Sequence, residues 1–423
     1  MKAVVLAAGE GQRLRPLTYT RPKHMIQVAG KPLLEHLLAA LKEAGFKDIL
    51  IIVNYKAERI KKYFGDGAKF GLKIEYIHQK EIKGTANAFG MAESKVTSDF
   101  LAVYGDLLVT PNAVDAALKL HKSETPAVTM TVLHVERPEL YGVLKTDGVR
   151  VVEIVEKPSA KFAARKPINA GIYVFSPEIF ETIKQTKDSS RGEQEITDSI
   201  HMLIKAGRKV VAAKISGEEW RDIGRPWDLL EANTHVLMKI EHKILGKVEE
   251  NVHLSNSVFV AEGAIIRSGA YIDGPSYIGE GSEIGPNCYI RPCTSIGKNV
   301  RIGNACEIKN CIIMDRTHIA HLSYVGDSVI GEDCNFGAGT ITANLRLDYK
   351  PVKMMVRDRL VDTGSEKLGV MIGDNVKTGV GTLLMPGVKI GCNSWIGPNV
   401  IVNRDVPSDT ILFIEQKLSQ KSR

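Results

Sequence analysis

The stretch Ile278-Gly-Glu-Gly-Ser-Glu-Ile284-Gly-Pro-Asn-Cys-Tyr-Ile290 decides the fold of the second half of this chain, because an aliphatic residue recurs at every sixth position. The same spacing continues on both sides, through Val260, Ile266, Ile272, Ile278, Ile284, Ile290, Ile296, Ile302 and Ile308. A fixed short period indicates one structural unit stacked on itself, and a period of six is typical of a parallel β-helix. An α-helix requires apolar spacings of three and four, and an ordinary half-buried strand requires a spacing of two.

Glycine and other small residues occupy fixed places in the same repeat. Glycine usually follows the aliphatic residue, as at Gly279 and Gly297, and permits a tight corner there. Small residues also stand four positions after the aliphatic residue, at Ala264, Ala270, Ser276, Ser282, Cys288 and Cys306. The pattern predicts a narrow prism in which the aliphatic and the small residues both point inward.

The period has two interruptions. It returns over 330–342 and again over 372–402. Between Ala320 and Tyr324 we expect the six-residue phase to slip by four, and at about 343–369 a charged insertion replaces the repeat. We expect chemistry to lie at these irregularities rather than in the regular coils.

Length and composition favour a two-domain protein that acts on small anionic substrates. The chain has 423 residues, a net charge of +7 and no dense basic stripe interleaved with aromatic residues, so nucleic acid is not an expected partner. All six cysteines lie in the C-terminal half without a C-x-x-C pair, which argues against a zinc site. We recognise no signal peptide and no membrane-spanning apolar run, so we expect a cytoplasmic protein without a membrane partner.

The first part of the chain, 1–225, alternates strand-like and helix-like patterns. This alternation predicts a Rossmann-like α/β domain with a mostly parallel sheet. Ligands of such sheets bind beyond the carboxyl ends of the strands. An amphipathic pattern that begins at Pro226 predicts a linker helix within 226–248, and the β-helix domain is expected at 249–423.

A glycine-containing loop follows the first predicted strand. It reads Leu6-Ala-Ala-Gly-Glu-Gly-Gln-Arg13, and its glycines would let backbone N–H groups approach phosphates. Arg13 and the downstream Lys23 would supply cations for a polyphosphate. Taken alone, Gly9-x-Gly11 is better explained by a plain strand-to-helix turn.

Two aspartates are candidate metal ligands. Asp106, in Tyr104-Gly-Asp106, ends an apolar strand, so its carboxylate should point into the ligand crevice, where it could hold Mg²⁺ beside phosphates. Asp222, in Trp220-Arg-Asp-Ile-Gly224, is a candidate second ligand. For each aspartate alone, capping of a turn is an equally good explanation.

Together these motifs resemble the sugar-1-phosphate nucleotidylyltransferase family over roughly the first 225 residues. The matching stretches, in the family's order and spacing, are Leu6–Arg13, Arg21-Pro-Lys23, Gln79, Gly84-Thr85-Ala86, Tyr104-Gly-Asp106, Tyr141-Gly142, Glu156-Lys-Pro158, Asn169-Ala-Gly-Ile-Tyr173 and Trp220–Gly224.

The resemblance implies that a sugar-phosphate oxygen attacks the α-phosphorus of a nucleotide and that pyrophosphate leaves. Arg13, Lys23 and Mg²⁺ on Asp106 and Asp222 would neutralise the developing charge. The implied nucleotide-binding residues are Leu6, Ala8, Gly9, Gly11, Gln79, Gly84 and Thr85, and the implied sugar-phosphate-binding residues are Gly142, Glu156, Lys157 and Asn169. The choice between UTP and dTTP stays open.

Two basic residues occupy glycine places of the repeat. Arg291 and Lys309 are eighteen residues apart, so a three-sided prism should bring them to the same side, one coil above the other. Stacked cations suit a sugar phosphate, although two solvated surface cations are the simpler explanation. His321 could act as a general base near neutral pH, although a lone histidine is more often structural.

The sequence around His321 resembles the acetyltransferase domain of the bifunctional GlmU family over roughly 250–405. The resemblance implies a left-handed parallel β-helix, a homotrimer and acetyl-CoA-dependent N-acetylation of glucosamine-1-phosphate, with His321 as the base. The implied sugar-phosphate-binding residues are Arg291, Lys309, Tyr324, Asn335 and Asn344, and the implied acetyl-CoA-binding residues are Ala338 and Lys350.

The leading prediction is a bifunctional transferase that makes UDP-N-acetylglucosamine or a related nucleotide sugar from a sugar-1-phosphate, acetyl-CoA and UTP or dTTP. One alternative is a single-activity pyrophosphorylase with a structural or regulatory β-helix, and His321 argues against it. The other is a non-enzymatic exchange subunit of a translation initiation factor, which would need neither the Arg13 loop nor Asp106 with Asp222.

Overall fold

The computed structural model describes residues 1–156, 158–159, 166–189 and 192–422, and these divide into two compact units. The first unit comprises Met1–Glu10, Pro22–Met25 and Leu33–Asp222, and the second comprises Gly11–Arg21, Ile26–Pro32 and Ile223–Arg423. Two N-terminal segments therefore group with the second unit. The sequence division at 225 does not predict this grouping, because it depends on contacts between residues far apart in the chain.

The strands of the N-terminal half are short and mostly apolar. They are β1 (Ala3–Ala7), β2 (Gln27–Val28), β3 (Lys31–Pro32), β4 (Asp48–Val53), β5 (Lys73–His78), β6 (Phe100–Tyr104), β7 (Leu107–Val109), β8 (Val128–Leu133), β9 (Gly142–Asp147), β10 (Arg150–Glu156), β11 (Ile168–Phe175), β12 (Val210–Lys214) and β13 (Trp220–Asp222).

Nine of these strands form the main sheet of the first unit, in the order β5-β4-β1-β6-β11-β8-β12-β10-β9. The predicted parallel arrangement is confirmed for β5-β4-β1-β6, whereas β11 runs antiparallel to both β6 and β8. A two-residue connection joins β9 to β10, and such a connection permits only antiparallel pairing. The sheet is therefore mixed, with its parallel block around β1.

Helices cover the sheet, and each buries one apolar stripe. In α1 the stripe is Leu34, Leu37, Leu38 and Leu41, the spacing that places residues on one helical face. Among the described residues, the helices are α1 (Leu33–Glu43), α2 (Ala57–Phe64), α3 (Thr85–Gly90), α4 (Pro111–Glu124), α5 (Ile179–Gln185), α6 (Ile196–Lys205) and, in the second unit, α7 (Asp228–Leu237). The 3₁₀ turns are Gln12–Leu14, Leu17–Tyr19, Lys23–Met25, Ala68–Phe70, Glu93–Lys95 and Pro138–Leu140.

The second unit is built on a left-handed parallel β-helix with three sheets as its faces. The first face contains Lys243–Ile244, Val258–Val260, Ser276–Ile278, Thr294–Ile296, Ile312–Ile313, Val329–Ile330, Met371–Ile372 and Lys389–Ile390. The second contains Lys247–Val248, Ile265–Ile266, Glu283–Ile284, Arg301–Asn304, His318–His321, Asn335–Phe336, Lys377–Thr378, Trp395–Ile396 and Ile411–Leu412. The third contains His253–Ser255, Tyr271–Asp273, Tyr289–Ile290, Glu307–Lys309, Tyr324–Gly326, Ile341–Thr342, Leu383–Leu384 and Ile401–Val402.

The inward positions of the β-helix are those that the period predicts. The recurring aliphatic residues are buried, and so are the small residues four positions after them, including Ala264, Ser282 and Cys288. The prediction of inward aliphatic and small residues is therefore confirmed. All six cysteines are free thiols.

The predicted phase slip near His321 is wrong. Ile319 and Val325 are six residues apart and both keep the inward register. Ile319 pairs with Ile302 of the preceding coil, and Val325 pairs with Ile308. The period shortens by one residue at two other corners, where Ile308 is followed by Ile313 and Val325 by Ile330. Both corners join the third face to the first. A search for apolar residues cannot locate the first of them, because the shortened period ends on Ile313 and an unbroken period would end on Met314, and both residues are apolar.

The insertion at 343–369 contains an antiparallel hairpin, Lys353–Val356 with Arg359–Asp362. The hairpin stays on the prism, since Val352 and Met354 are fully buried. The chain returns to the coil at Gly369, whose N–H donates to the Asp327 carbonyl over 2.9 Å. The predicted insertion is therefore an ordered part of the second unit.

The two N-terminal segments of the second unit pack on the first face of the β-helix. Asn233 of α7 accepts from the N–H of Ala29 over 2.9 Å and donates to the Cys293 carbonyl over 2.8 Å. A Cβ on Gly30 would lie within 2.1 Å of the Tyr277 ring, so only glycine fits there. In the described part of the chain, no helix has the length and apolarity needed to cross a membrane.

Candidate active sites

The loop after β1 lies at the carboxyl end of the parallel block. The N–H of Gly105, which follows β6, donates to the Leu6 carbonyl over 2.8 Å, and the N–H of Tyr55 donates to the Ala8 carbonyl over 3.2 Å. A Cβ on Gly105 would lie 2.5 Å from the Leu6 oxygen, so this close approach requires glycine. Gly9 has open space around its Cα. The structure thus leaves room for a ligand beside the backbone of this loop.

Lys23 and Asp106 form a direct, mostly buried ion pair in the first unit. Burial opposes ionisation of Asp106, but the charge and hydrogen bond of Lys23 outweigh it and lower the pKa of this carboxyl. His24 lies beneath the pair, where burial and the Lys23 charge lower its pKa to about 3 and keep the imidazole neutral. The strand pairing places Asp222 opposite Leu107, next to Asp106. Two carboxylates, one in the turn just before β7 and one at the end of β13, suit Mg²⁺, which takes its remaining ligands from phosphates and water.

Arg13 and Gly11 belong to the second unit. Gly11 has a positive φ of 76°, and its carbonyl accepts a 3.1 Å hydrogen bond from Thr18 Oγ1. The Arg13 side chain is exposed and passes over Gly224, where a Cβ would lie 3.2 Å from its Nη1. The guanidinium is therefore available to a ligand.

The residues predicted to bind the base lie at the end of β5 and the start of α3. Gln79 is buried, and its Nε2 donates to Asn87 over 2.9 Å. Gly84 has a φ of 111°, and a Cβ there would lie 2.4 Å from the Gln194 carbonyl oxygen. Thr85 Oγ1 accepts a 2.9 Å bond from the N–H of Ile196. Gln79 and α3 are thus fixed by direct hydrogen bonds.

Three residues predicted to bind the sugar come together on β9, β10 and β11. Gly142 pairs with Glu156, and a Cβ on Gly142 would lie 2.7 Å from Glu156 Oε2 and 3.8 Å from the Cβ of Asn169. Asn169 Oδ1 accepts from the N–H of Gly171 over 3.1 Å, which fixes the orientation of its amide. The fourth predicted residue, Lys157, lies outside the described residues.

Two tyrosines support Asn169, and sequence reasoning did not single them out. Asn169 Nδ2 donates to the Tyr173 hydroxyl over 2.6 Å, and that hydroxyl lies 3.1 Å from the hydroxyl of Tyr104. Burial raises the pKa of both phenols, so both stay neutral. Their place on β6 and β11 could have suggested the role, because Tyr104 ends β6 beside the predicted ligand crevice and the antiparallel β11 begins on that side.

In the β-helix, Arg291 and Lys309 lie on successive coils at the corner between the third and first faces. The pairing of Ile290 with Ile308 confirms that they stack. Arg291 Nη1 donates to Glu307 over 2.9 Å, whereas its buried Nε has no hydrogen-bond partner among the described residues. Lys309 Nζ donates to both oxygens of Asp327, over 2.8 and 3.1 Å. The corner thus presents two cations and one unused donor.

Tyr324 and Asn344 lie at the same corner. Asn344 Nδ2 donates to the Tyr324 hydroxyl over 3.1 Å and also to Asp327. Asp327 therefore contacts two of the predicted substrate-binding residues, although sequence reasoning gave it no role. The period gave no signal for Asp327, because the shortened repeat in which it lies is not visible from the apolar spacing.

Four predicted second-site residues do not lie at the Arg291 corner. His321 and Ala338 lie at the opposite corner of the third face, and Asn335 and Lys350 lie elsewhere in the second unit. His321 is exposed, and its carbonyl accepts from the N–H of Gly339 over 3.3 Å, so the corner that carries Ala338 stacks on the corner of His321. Asn335 is exposed on the second face, and Lys350 is exposed in the insertion. The predicted second-site residues are thus divided among two corners of one prism, its second face and the insertion.

Comparison with known proteins covers both units. The family model described as nucleotidyl transferase matches residues 2–239, and the model of the GMPPB C-terminal domain matches residues 272–385. A bifunctional protein GlmU of Methanocaldococcus jannaschii is 45% identical over 419 residues, which are 99% of this chain and 98% of that protein. A bifunctional sugar-1-phosphate nucleotidylyltransferase/acetyltransferase of Sulfurisphaera tokodaii is 42% identical, over 96% of this chain and 98% of that protein.

The chain belongs to the bifunctional GlmU family. It therefore combines sugar-nucleotidyl transfer with acetyl transfer, and the bifunctional prediction is favoured over both alternatives. Among solved structures, a glucose-1-phosphate thymidylyltransferase of Bacillus anthracis matches with a TM-score of 0.51 and 30% identity, over 55% of this chain and 94% of that one. That match supports the nucleotidyltransferase fold of this GlmU-family chain.

Proposed function

We propose that the second unit transfers an acetyl group from acetyl-CoA to the amine of glucosamine-1-phosphate or a related amino-sugar 1-phosphate. The first unit then couples the product to UTP or dTTP with release of pyrophosphate, which gives UDP-N-acetylglucosamine or its close analogue. The observation that carries the proposal is the stacked pair Arg291 and Lys309, with an unused Arg291 donor, at one corner of the β-helix. A plain scaffold would gain nothing from a desolvated donor without an acceptor.

In the first unit, Lys23, Asp106 and Asp222 are the proposed centre of nucleotidyl transfer. Mg²⁺ held by the two carboxylates would supply charge neutralisation at the phosphates. Lys23 adds positive charge for the attacking sugar phosphate and the leaving pyrophosphate. No protein nucleophile is required, because the sugar-phosphate oxygen attacks the α-phosphorus directly and the enzyme contributes positioning.

The other residues proposed for nucleotidyl transfer bind the two substrates. Leu6, Ala8, Gly9 and Gly11 present backbone groups to the triphosphate, and Gln79, Gly84 and Thr85 contact the base. Gly142, Glu156 and Asn169 bind the sugar, with Lys157 on its phosphate. Glu156 and Asn169 lie close enough to bond one sugar ring together, because Gly142 lies between them without a side chain.

In the second unit, His321 is the proposed base for acetyl transfer. It takes a proton from the sugar amine, and the amine nitrogen attacks the thioester carbon of acetyl-CoA, so that CoA leaves as the thiol. Arg291, Lys309 and Tyr324 hold the sugar phosphate, and Asn335 and Asn344 hold the sugar and the thioester. Ala338 and Lys350 border the CoA, and Ala338 is well placed because its corner stacks on that of His321.

We also propose that three copies of the chain assemble through their β-helices in the cytoplasm. The sugar-phosphate residues and His321 lie at opposite corners of one face. A neighbouring prism could bring its own His321 corner to the Arg291 corner of this one. Assembly would then complete a site that one chain leaves divided.

Separate assays of the two activities test the proposal. Acetyl transfer is followed as free thiol released from acetyl-CoA with glucosamine-1-phosphate, and nucleotidyl transfer as pyrophosphate released from UTP or dTTP with N-acetylglucosamine-1-phosphate. We expect His321→Ala to lower acetyl transfer by about a hundredfold or more and leave nucleotidyl transfer unchanged. We expect Lys23→Met to lower nucleotidyl transfer and to leave acetyl transfer unchanged.

The two variants serve as controls for each other, because each should keep the activity of the other unit. Failure of the wild-type protein to release thiol with any amino-sugar 1-phosphate would refute the assignment of the second unit. Failure to release pyrophosphate from either triphosphate would refute that of the first.

A further inference from the structure

Asp327 is a buried carboxylate at the centre of the Arg291 corner, with only 3% of its surface exposed. Its Oδ1 accepts from Lys309 Nζ over 3.1 Å and from Asn310 Nδ2 over 2.8 Å. Its Oδ2 accepts from Lys309 Nζ over 2.8 Å and from Asn344 Nδ2. A carboxylate offers about four acceptor sites, so these bonds occupy all of them. Asp327 therefore has no lone pair left for a substrate.

The shortened repeats place Asp327 in this position. Each of the two corners that lose a residue turns through a residue with positive φ, 49° at Asn310 and 48° at Asp327. Asparagine and aspartate tolerate this conformation better than other non-glycine residues do. The N–H of Asp327 donates to the Lys309 carbonyl over 2.8 Å, which holds one short corner directly on the other. The carboxylate consequently faces the Lys309 side chain.

The insertion closes over Asp327 where it rejoins the coil. Gly369 donates its N–H to the Asp327 carbonyl over 2.9 Å, and the N–H of Leu368 donates to the Asn344 carbonyl over 2.9 Å. A Cβ on Gly369 would lie 2.1 Å from both the Gly326 oxygen and Ser328 Oγ. Only glycine allows the chain to pass so close to Gly326 and Ser328, the two sequence neighbours of the buried Asp327.

We infer that Asp327 is a positioning residue for acetyl transfer, which fixes Lys309 toward the phosphate and Asn344 toward the sugar of the amino-sugar 1-phosphate. Through Asn344, which also bonds the Tyr324 hydroxyl, it orients a third substrate-binding residue. Asp327 acts through these residues and does not touch the substrate. The inference rests on the proposed acetyl-transfer site.

The two cations of the corner differ in how tightly their carboxylates are held. Glu307, the partner of Arg291, has 38% of its side chain exposed and can swing away, whereas the Asp327 side chain is 4% exposed and fixed by three residues. An arriving phosphate would therefore displace Glu307 from Arg291 but share Lys309 with Asp327. Arg291 then forms most of the new ion pairing with the phosphate. Lys309, which Asp327 already holds in place, sets the direction from which the phosphate is bound.

Asp327→Asn tests the inference, because the amide keeps the shape but places donor hydrogens against the donors of Lys309, Asn310 and Asn344. We expect the KM for glucosamine-1-phosphate to rise about tenfold or more, as for the loss of a hydrogen bond between charged groups, while the KM for acetyl-CoA stays within about twofold. Nucleotidyl transfer should be unchanged. In the double variant Asp327→Asn with Lys309→Gln, the two effects should not multiply, because Asp327 acts largely through Lys309.

Asn310→Gly is a second, milder variant in case Asp327→Asn does not fold. It removes one donor to Asp327 at a φ that glycine adopts freely, and the KM for the sugar phosphate should rise by about two- to fivefold. Asp333→Asn, at an exposed corner with a φ of 58°, is the matched control and should leave both KM values unchanged. Circular dichroism and the unfolding midpoint are recorded for every variant.

The outcomes separate this inference from the proposed function. If Asp327→Asn and Asn310→Gly fold and keep the wild-type KM for glucosamine-1-phosphate, the inference is wrong. It is also wrong if the KM for acetyl-CoA rises equally, since that result indicates a general structural role. If Arg291→Gln and His321→Ala leave acetyl transfer intact, the proposed site itself fails, whatever Asp327 does.

Discussion

The guanidinium of Arg21 and the carboxylate of Asp374 form an almost completely buried ion pair, although the two residues are 353 positions apart. Arg21 also pairs with Glu332 over 2.7 Å, and Thr20 Oγ1 donates to Asp374 Oδ2 over 2.6 Å. Burial lowers the pKa of Arg21, but the two carboxylates outweigh burial and the net pKa is raised. This pair fixes the end of the segment Gly11–Arg21, which carries Arg13, on the coils of the β-helix.

Loss of one partner from this buried pair should destabilise the second unit. In Asp374→Asn the Arg21 charge keeps only Glu332, and we expect a loss of about 2 kcal/mol or more in the free energy of unfolding. The thermal unfolding midpoint should fall by about 5 °C.

Glu280→Gln is the matched control for Asp374→Asn. Glu280 pairs with Lys298 across neighbouring coils over 2.7 Å, but the two side chains are 61% and 52% exposed. An exposed pair contributes less than about 1 kcal/mol, so the midpoint should hardly change. Equal shifts of the unfolding midpoint in Asp374→Asn and Glu280→Gln would contradict the prediction that the buried pair stabilises the second unit more than an exposed pair does.

Asp106→Asn should remove the response of nucleotidyl transfer to Mg²⁺. The amide still fits beside Lys23, but it cannot neutralise a cation, so pyrophosphate release should fall by about a hundredfold or more at saturating Mg²⁺. Titration of Mg²⁺ with UTP and a sugar-1-phosphate measures the effect. Acetyl transfer by the same preparation is the internal control, and an unchanged Mg²⁺ response would exclude Asp106 as a ligand.

Tyr173→Phe should weaken binding of the sugar-1-phosphate in the first unit. The variant removes the acceptor that orients Asn169 Nδ2, and we expect the KM for the sugar-1-phosphate to rise about fivefold while the KM for the triphosphate stays constant. Tyr76→Phe, which removes a 2.8 Å bond to the Gly65 carbonyl, is the control and should change neither value. A rise in both KM values for Tyr173→Phe would indicate general loosening of the sheet.

The buried thiols should be inert in the native protein. Burial raises the pKa of Cys288, Cys311 and Cys334 to about 12 and that of Cys392 to about 11, so few thiolates form even at pH 9. Labelling with a maleimide at pH 8 should modify Cys293, which is partly exposed, and spare these four. After denaturation all six should react, and rapid native labelling of Cys311 or Cys334 would contradict their burial.

The sequence came closest to the structure where interactions are local in the repeat. Each coil of the β-helix contacts mainly its neighbours, so a period of six fixes the register of Ile290 on Ile308 and the stacking of Arg291 on Lys309. The same logic failed near His321, because the shortened corners lie at Asn310 and Asp327 and adjacent apolar residues conceal the lost position. The alternating strand-like and helix-like patterns of the first half likewise predicted the strands β1, β4 and β6. They did not predict that β11 lies antiparallel between β6 and β8.

By itself, the sequence determined the two kinds of fold, the stacked coils and the residue types that both transfer reactions use. Tertiary structure alone decided that Arg21 lies between Asp374 and Glu332 and that the end of the insertion, at Gly369, lies on Asp327. The physical reason is the range of the interactions. Periodicity and strand propensity act between near neighbours, whereas a buried charge is stabilised by whichever partners the folded chain brings to it from distant positions.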